Sequence, residues 1–139
     1  MENKFKFFVL VIVLLALISC SNSPDFEFTN EDIVKIKIQA YTYPLRTEKH
    51  EIVVSDPKKI VELLAVFNKG KITKDHKCPD EGTVCFILKG GNEYKLHYLP
   101  GHEYKYYEFR YGKDLFKVKR NVFIKAMKNA GVLEIYLPL

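Results

Sequence analysis

The sequence lacks every short motif that would name a common enzyme class. It has no Gly-x-Ser-x-Gly elbow, no His-Glu-x-x-His, no Walker loop and no Gly-x-Gly-x-x-Gly. Gly101-His102-Glu103 comes nearest, but no second histidine follows at helical spacing. Glu103 and Glu108 are an odd number of residues apart, so in a regular strand they face opposite sides and would not act on one bond. The chain has a single long apolar run, the 12 residues 7–18. That is short of the ~20 needed for a spanning helix, which excludes a polytopic membrane protein. At 139 residues the chain is too small for a multidomain machine or a TIM barrel. No internal repeat, coiled coil or low-complexity tract is present. No catalytic residue, cofactor or metal site is expected, and a non-enzyme is the reading.

What is present begins at the amino terminus. Lys4 and Lys6 precede the apolar run, and Leu17-Ile18-Ser19-Cys20 follows directly on it, before an abrupt switch to Ser-Asn-Ser. This pattern resembles the bacterial lipoprotein signal peptide, whose lipobox ends on an invariant cysteine. The resemblance covers residues 1–20 only. It implies cleavage after Ser19, a diacylglycerol thioether and an acylated amino group on Cys20, and attachment to a membrane facing the periplasm or the cell exterior. Several acyl chains anchor stably where one binds marginally. Ser21, rather than Asp, implies the outer membrane in a diderm host; in a monoderm the same signal implies the cell membrane. Residues 1–19 are then the signal peptide, residues 20–31 the lipidated cysteine with a polar tether, and residues 32–139 one domain.

Of the 3 cysteines, Cys20 is taken by the lipobox. Cys78 and Cys85 flank Pro79-Asp80-Glu81-Gly82, which reads as a type I turn. In an oxidising compartment the pair is expected to form a disulfide closing a short loop, worth ~2.5 kcal/mol. A metal site from His76, Cys78 and Cys85 lacks a fourth ligand at the usual spacing. The formal charge of +5 is spread along the chain. Its densest cluster is Lys113, Lys117, Lys119 and Arg120, read chiefly as solvated strand and helix faces. Near an anionic bilayer each such cation would add ~1 kcal/mol of attraction.

Hydrophobic periodicity predicts an α+β domain. Alternation over residues 34–40, extending toward residue 43, predicts a strand with one wet face, and residues 51–54 predict its hairpin partner. Ser55-Asp56-Pro57 opens a helix whose apolar positions are Ile60, Leu63, Leu64 and Phe67, with Gly70 placed to end it. Strands follow at 84–88, 94–98, 104–111 and 115–119, with Gly90-Gly91 as a hairpin signal. Asn121 is placed to cap a closing helix that ends at Gly131, and residues 132–139 form a last strand or a packed tail. The predicted order is ββαββββα, a two-layer, mostly antiparallel sheet of five to six strands covered by two helices.

The Tyr- and His-rich stretch 97–111 is the most unusual local composition. Alternation puts Tyr104, Tyr106, Glu108 and Arg110 on one face and Tyr107, Phe109 and Tyr111 on the other. The first set is a candidate protein-recognition face; its plainer role is cross-strand pairing. Basic strands carrying aromatics also suit single-stranded nucleic acid, but export argues against that partner. The reading is therefore a lipid-anchored envelope lipoprotein. Its domain is expected to be a non-catalytic protein-binding module of the assembly-accessory, inhibitor or immunity kind. Its alternatives are a small-ligand or metal-binding domain, or a hydrolase with scattered residues.

Overall fold

A computed structural model describes residues 23–42, 47–99 and 103–133. The expected signal peptide, Cys20 and the segment 134–139 lie outside the described residues. The elements are β1 (Ile33–Tyr41), β2 (Lys49–Val54), α1 (Pro57–Asn68), β3 (Lys71–Thr73), β4 (Gly82–Leu88), β5 (Glu93–Leu99), β6 (Tyr106–Tyr111), β7 (Asp114–Lys119) and α2 (Arg120–Ala130). Among the described residues the strands form one 7-stranded sheet in the order β2-β1-β4-β5-β6-β7-β3. Every neighbouring pair is antiparallel. The α+β class expected from the sequence is the one observed, with more strands.

The alternating apolar residues all point one way. Ile36 and Ile38 of β1, Val84 and Phe86 of β4, Leu96 and Tyr98 of β5, Tyr107 and Phe109 of β6 are buried on a single inner face. Both helices lie on that face. In α1 the periodic residues Ile60, Leu63, Leu64 and Phe67 are buried, and in α2 Phe123, Ala126 and Met127 are. Rings fill the space between layers: Phe109 lies 5.0 Å from Phe67 and 4.9 Å from Phe123, both edge-on. Such pairs add roughly 0.5–1.5 kcal/mol beyond the area they bury.

The helix ends follow local chemistry. Asp56 caps α1, accepting from the Lys58 amide at 2.8 Å, and Pro57 occupies the first turn. Gly70, expected as a helix stop, is needed for a different reason. A Cβ there would lie 2.5 Å from the Phe116 ring, so the residue lets the chain leave α1 across the core. At the end of α2, Gly131 does adopt the left-handed conformation, with φ of 103°. The N-cap residue of α2 is Lys119, which makes no side-chain cap bond; Asn121 is already inside the helix, where its Oδ1 accepts from the Val122 amide at 2.9 Å.

Three expectations need correction. The extra strand β3 follows Gly70 directly and pairs Lys71–Thr73 with β7. Three residues are too few to show a period of two. The boundary expected at residue 32 also falls earlier: Phe28 is buried, and its ring lies 5.2 Å from Phe86 and 4.9 Å from Tyr94. Phe26 lies 5.5 Å from Tyr111 and 6.0 Å from Phe116. Polar neighbours hide these two aromatics from any periodicity argument, yet they plug the end of the core where the hairpins at Gly90 and Gly112 turn. Finally, residues 79–82 form no turn; residues 74–81 run on without regular structure. They must carry the chain from β3 to β4 past three intervening strands, about 19 Å at the usual strand spacing.

Candidate binding surface

The outer face of the sheet has two differently treated regions. Over one, residues 74–81 form a strap, and side chains of β5 and β6 hold it down. Arg110 of β6 donates from Nη2 to the His76 carbonyl oxygen at 2.8 Å and lies 3.5 Å from carboxylate oxygens of Asp75 and Asp80. His97 of β5 meets Asp80 at 2.8 Å. His76 Nε2 contacts Glu108 Oε2, and the Glu81 amide donates to the Tyr98 carbonyl at 2.7 Å. Beneath this strap Leu99, Leu115 and Glu108 are buried, the last at 7% exposure. A carboxylate so placed needs a partner, and His76 supplies one.

The expected recognition face is therefore divided. Glu108 and Arg110 do share the outer face of β6, as alternation required, but they serve the strap rather than a partner. Tyr106 lies on the same face at the far end of the strand. Tyr104 belongs to the turn before β6 and is 77% exposed.

Cys78 lies within the strap and Cys85 on the outer face of β4, and the two are not within disulfide distance of each other. The expected pairing assumed that Pro79-Asp80-Glu81-Gly82 turns the chain back, and here it does not. The Cys85 thiol is shifted upward, first by burial and then by the nearby charge of Glu93, whose carboxylate oxygen lies 3.8 Å from Sγ. Among the described residues no three of His, Cys, Asp and Glu are grouped to hold a metal ion.

At the opposite end of β6 and β7 the rim where the outer face meets the helix layer is open and basic. Arg120, the first residue of α2, stacks between two rings, 4.8 Å from the centroid of Tyr104 and 4.6 Å from that of Tyr107. Its Nε and Nη1 are buried and make no hydrogen bond among the described residues. Lys117 lies 4.6 Å from the Tyr106 centroid and donates to Glu103 at 2.8 Å, which raises its pKa above the ordinary lysine value. A groove of about 490 Å³ runs between Tyr104, Tyr106, Lys119, Arg120 and Ile124. A second, of about 440 Å³, shares Tyr106 and Lys119 with it and is rimmed by Lys69, Lys71 and Lys117 over a floor of Val66, Val118 and Val122.

Part of this surface was visible in the sequence as the cation cluster at residues 113–120. Lys69, Lys71 and Lys105 were not, because only the pairing of β3 with β7 and the turn before β6 bring them to it. Arranged this way, the residues can bind an anionic group and an apolar or aromatic one together.

No family model, curated protein or solved structure matches the chain.

Proposed function

We propose that this chain is a cell-envelope lipoprotein, lipidated at Cys20, whose domain is a non-catalytic protein-binding module of the assembly-accessory, inhibitor or immunity kind. The observation that carries the binding reading is the division of the outer face. One half is closed by its own strap, while the Tyr104–Tyr106 end is left open with aromatic rings and cations at the surface. Such a composition suits interface anchors. The packing of Phe26 bears on the anchored state: only five residues lie between it and Cys20, so the core would stand no more than about 20 Å from the lipid attachment point.

The test is capture of envelope proteins by the chain carrying Cys20→Ala, purified in neutral detergent, with Tyr104→Ala and Tyr106→Ala as controls. The reading expects a partner whose recovery falls at least about tenfold in both tyrosine variants. Absence of any partner, together with full activity of both variants in cells, would contradict it. A second reading, a small-ligand site, is favoured by one observation. Each groove falls in the roughly 300–1,000 Å³ range of small-molecule sites.

A further inference from the structure

We infer that the paired grooves at the Tyr106 end of the sheet receive an acidic protein segment that also carries apolar or aromatic side chains. The inference rests on the protein-binding reading above and names the chemistry of its partner. Its basis is an unbalanced set of charges. Lys71 lies directly opposite Lys117 across the β3–β7 pair, an arrangement in which like charges repel and the sheet loses stability. Glu103 satisfies Lys117. Lys69, Lys71, Lys105 and Lys119 make no ion pair among the described residues, and Arg120 is held by ring faces instead of a carboxylate. Four of these six cations thus converge with no counter-charge among the described residues, which is the arrangement expected if a ligand supplies the missing negative charge.

The floor narrows the ligand. Val118, Val122 and Tyr106 offer apolar surface between the cations. A bare anion would leave that surface wet, and a polyanion without apolar groups would not fill it. The cations are also spread over the C-cap of α1, β3, the turn before β6, β7 and α2 rather than drawn round one point, as a single phosphate would require.

Position separates a protein from a lipid surface. Tyr106 pairs with Lys119 at one end of the β6–β7 hairpin, and Tyr111 with Asp114 at the other. Phe26, which leads toward Cys20, packs on Tyr111. The grooves and the end that leads toward Cys20 are therefore about 17 Å apart along the strands. A tether from Cys20 would join the domain at its hairpin end, on the side away from the basic grooves.

The test is a titration of the intact chain, in neutral detergent, against a fluorescent peptide of Glu-Glu-Tyr repeats. Lys71→Glu combined with Lys119→Glu should weaken binding at least about tenfold, or 1.4 kcal/mol. Lys58→Glu combined with Lys59→Glu, an equal charge change on the exposed first turn of α1, should weaken it less than about twofold. Lys71→Gln with Lys119→Gln guards against misfolding of the reversed pair and should show an intermediate loss. Equal losses in the groove and control pairs would overturn the inference, as would undiminished binding of a Gln-Gln-Tyr peptide. So would a groove-dependent gain confined to phosphatidylglycerol vesicles, which would make the bilayer the ligand. A photocrosslinker at Tyr104 and another at Val53, on the distant edge strand β2, separate this inference from the reading beneath it. A partner trapped from Val53 and never from Tyr104 keeps the binding module and removes the grooves; no partner from either position removes both.

Discussion

Arg110 on β6 holds the backbone carbonyl of His76 at 2.8 Å from across the sheet face. A side chain that alternation marks as exposed is in fact the fastener of a crossing loop, and Asp75 and Asp80 meet the same guanidinium. Arg110→Ala should therefore destabilise the domain by about 1–2 kcal/mol, the value being held down by partial solvent exposure. Arg110→Lys should recover little, since one ammonium cannot span acceptors that a planar guanidinium reaches together. Urea denaturation measures both, and an unchanged midpoint in Arg110→Ala would show that the strap needs no such fastener.

The cysteines give a direct chemical readout. Both Cys78 and Cys85 should alkylate in the native protein without prior reduction, Cys78 first, because Cys85 is buried on β4. Burial and Glu93 raise the Cys85 pKa, so folding favours the neutral thiol. That contribution is whole below the unfolded value of about 8.5 and is lost as pH rises through the folded one. Wild type should thus lose more stability than Cys85→Ala between neutral and alkaline pH. Mass spectrometry showing neither thiol alkylated until reductant is added would instead restore the disulfide expected from the sequence.

Gly82 begins β4 where a Cβ would lie 2.3 Å from both the Gln39 carbonyl oxygen and the Tyr98 hydroxyl. Backbone cannot give way as a flexible side chain can. Gly82→Ala should cost about 1–3 kcal/mol, whereas Lys89→Ala, on the exposed β4–β5 hairpin, should be near neutral. Thermal melts of the two variants decide this, and a neutral Gly82→Ala would mean the strand start is looser than drawn.

The amino-terminal aromatics should behave as core residues. Phe28→Ala is expected to cost about 3 kcal/mol, and Phe26→Ala, which is only partly buried, less. If both were neutral in denaturant melts, residues 23–31 would be the free tether that their polar neighbours suggest.

These positions also show where the sequence was legible. The inner-face residues of β1, β4, β5 and β6 and the buried stripe of α1 follow from period, because each spans enough residues for a pattern to stand out. Asp56-Pro57 and Gly131 follow from capping chemistry. Lys71–Thr73 was hidden by its length, and Phe26 and Phe28 by their isolation among polar residues. The fate of Glu108 and Arg110 was hidden by topology. Alternation gives the face a side chain is on, but not whether a loop from another part of the chain crosses it. The basic grooves were hidden in the same way, since their lysines come from segments that only the β3–β7 register brings together.

The proposed anchoring of this domain to a membrane through Cys20 is tested most directly by metabolic labelling with a palmitate analogue. Label should appear on the wild-type chain, disappear in Cys20→Ala, and survive unchanged in Cys78→Ala and Cys85→Ala. An unlabelled wild-type chain, or label retained after Cys20→Ala, would contradict the lipid anchor and the orientation argued from it.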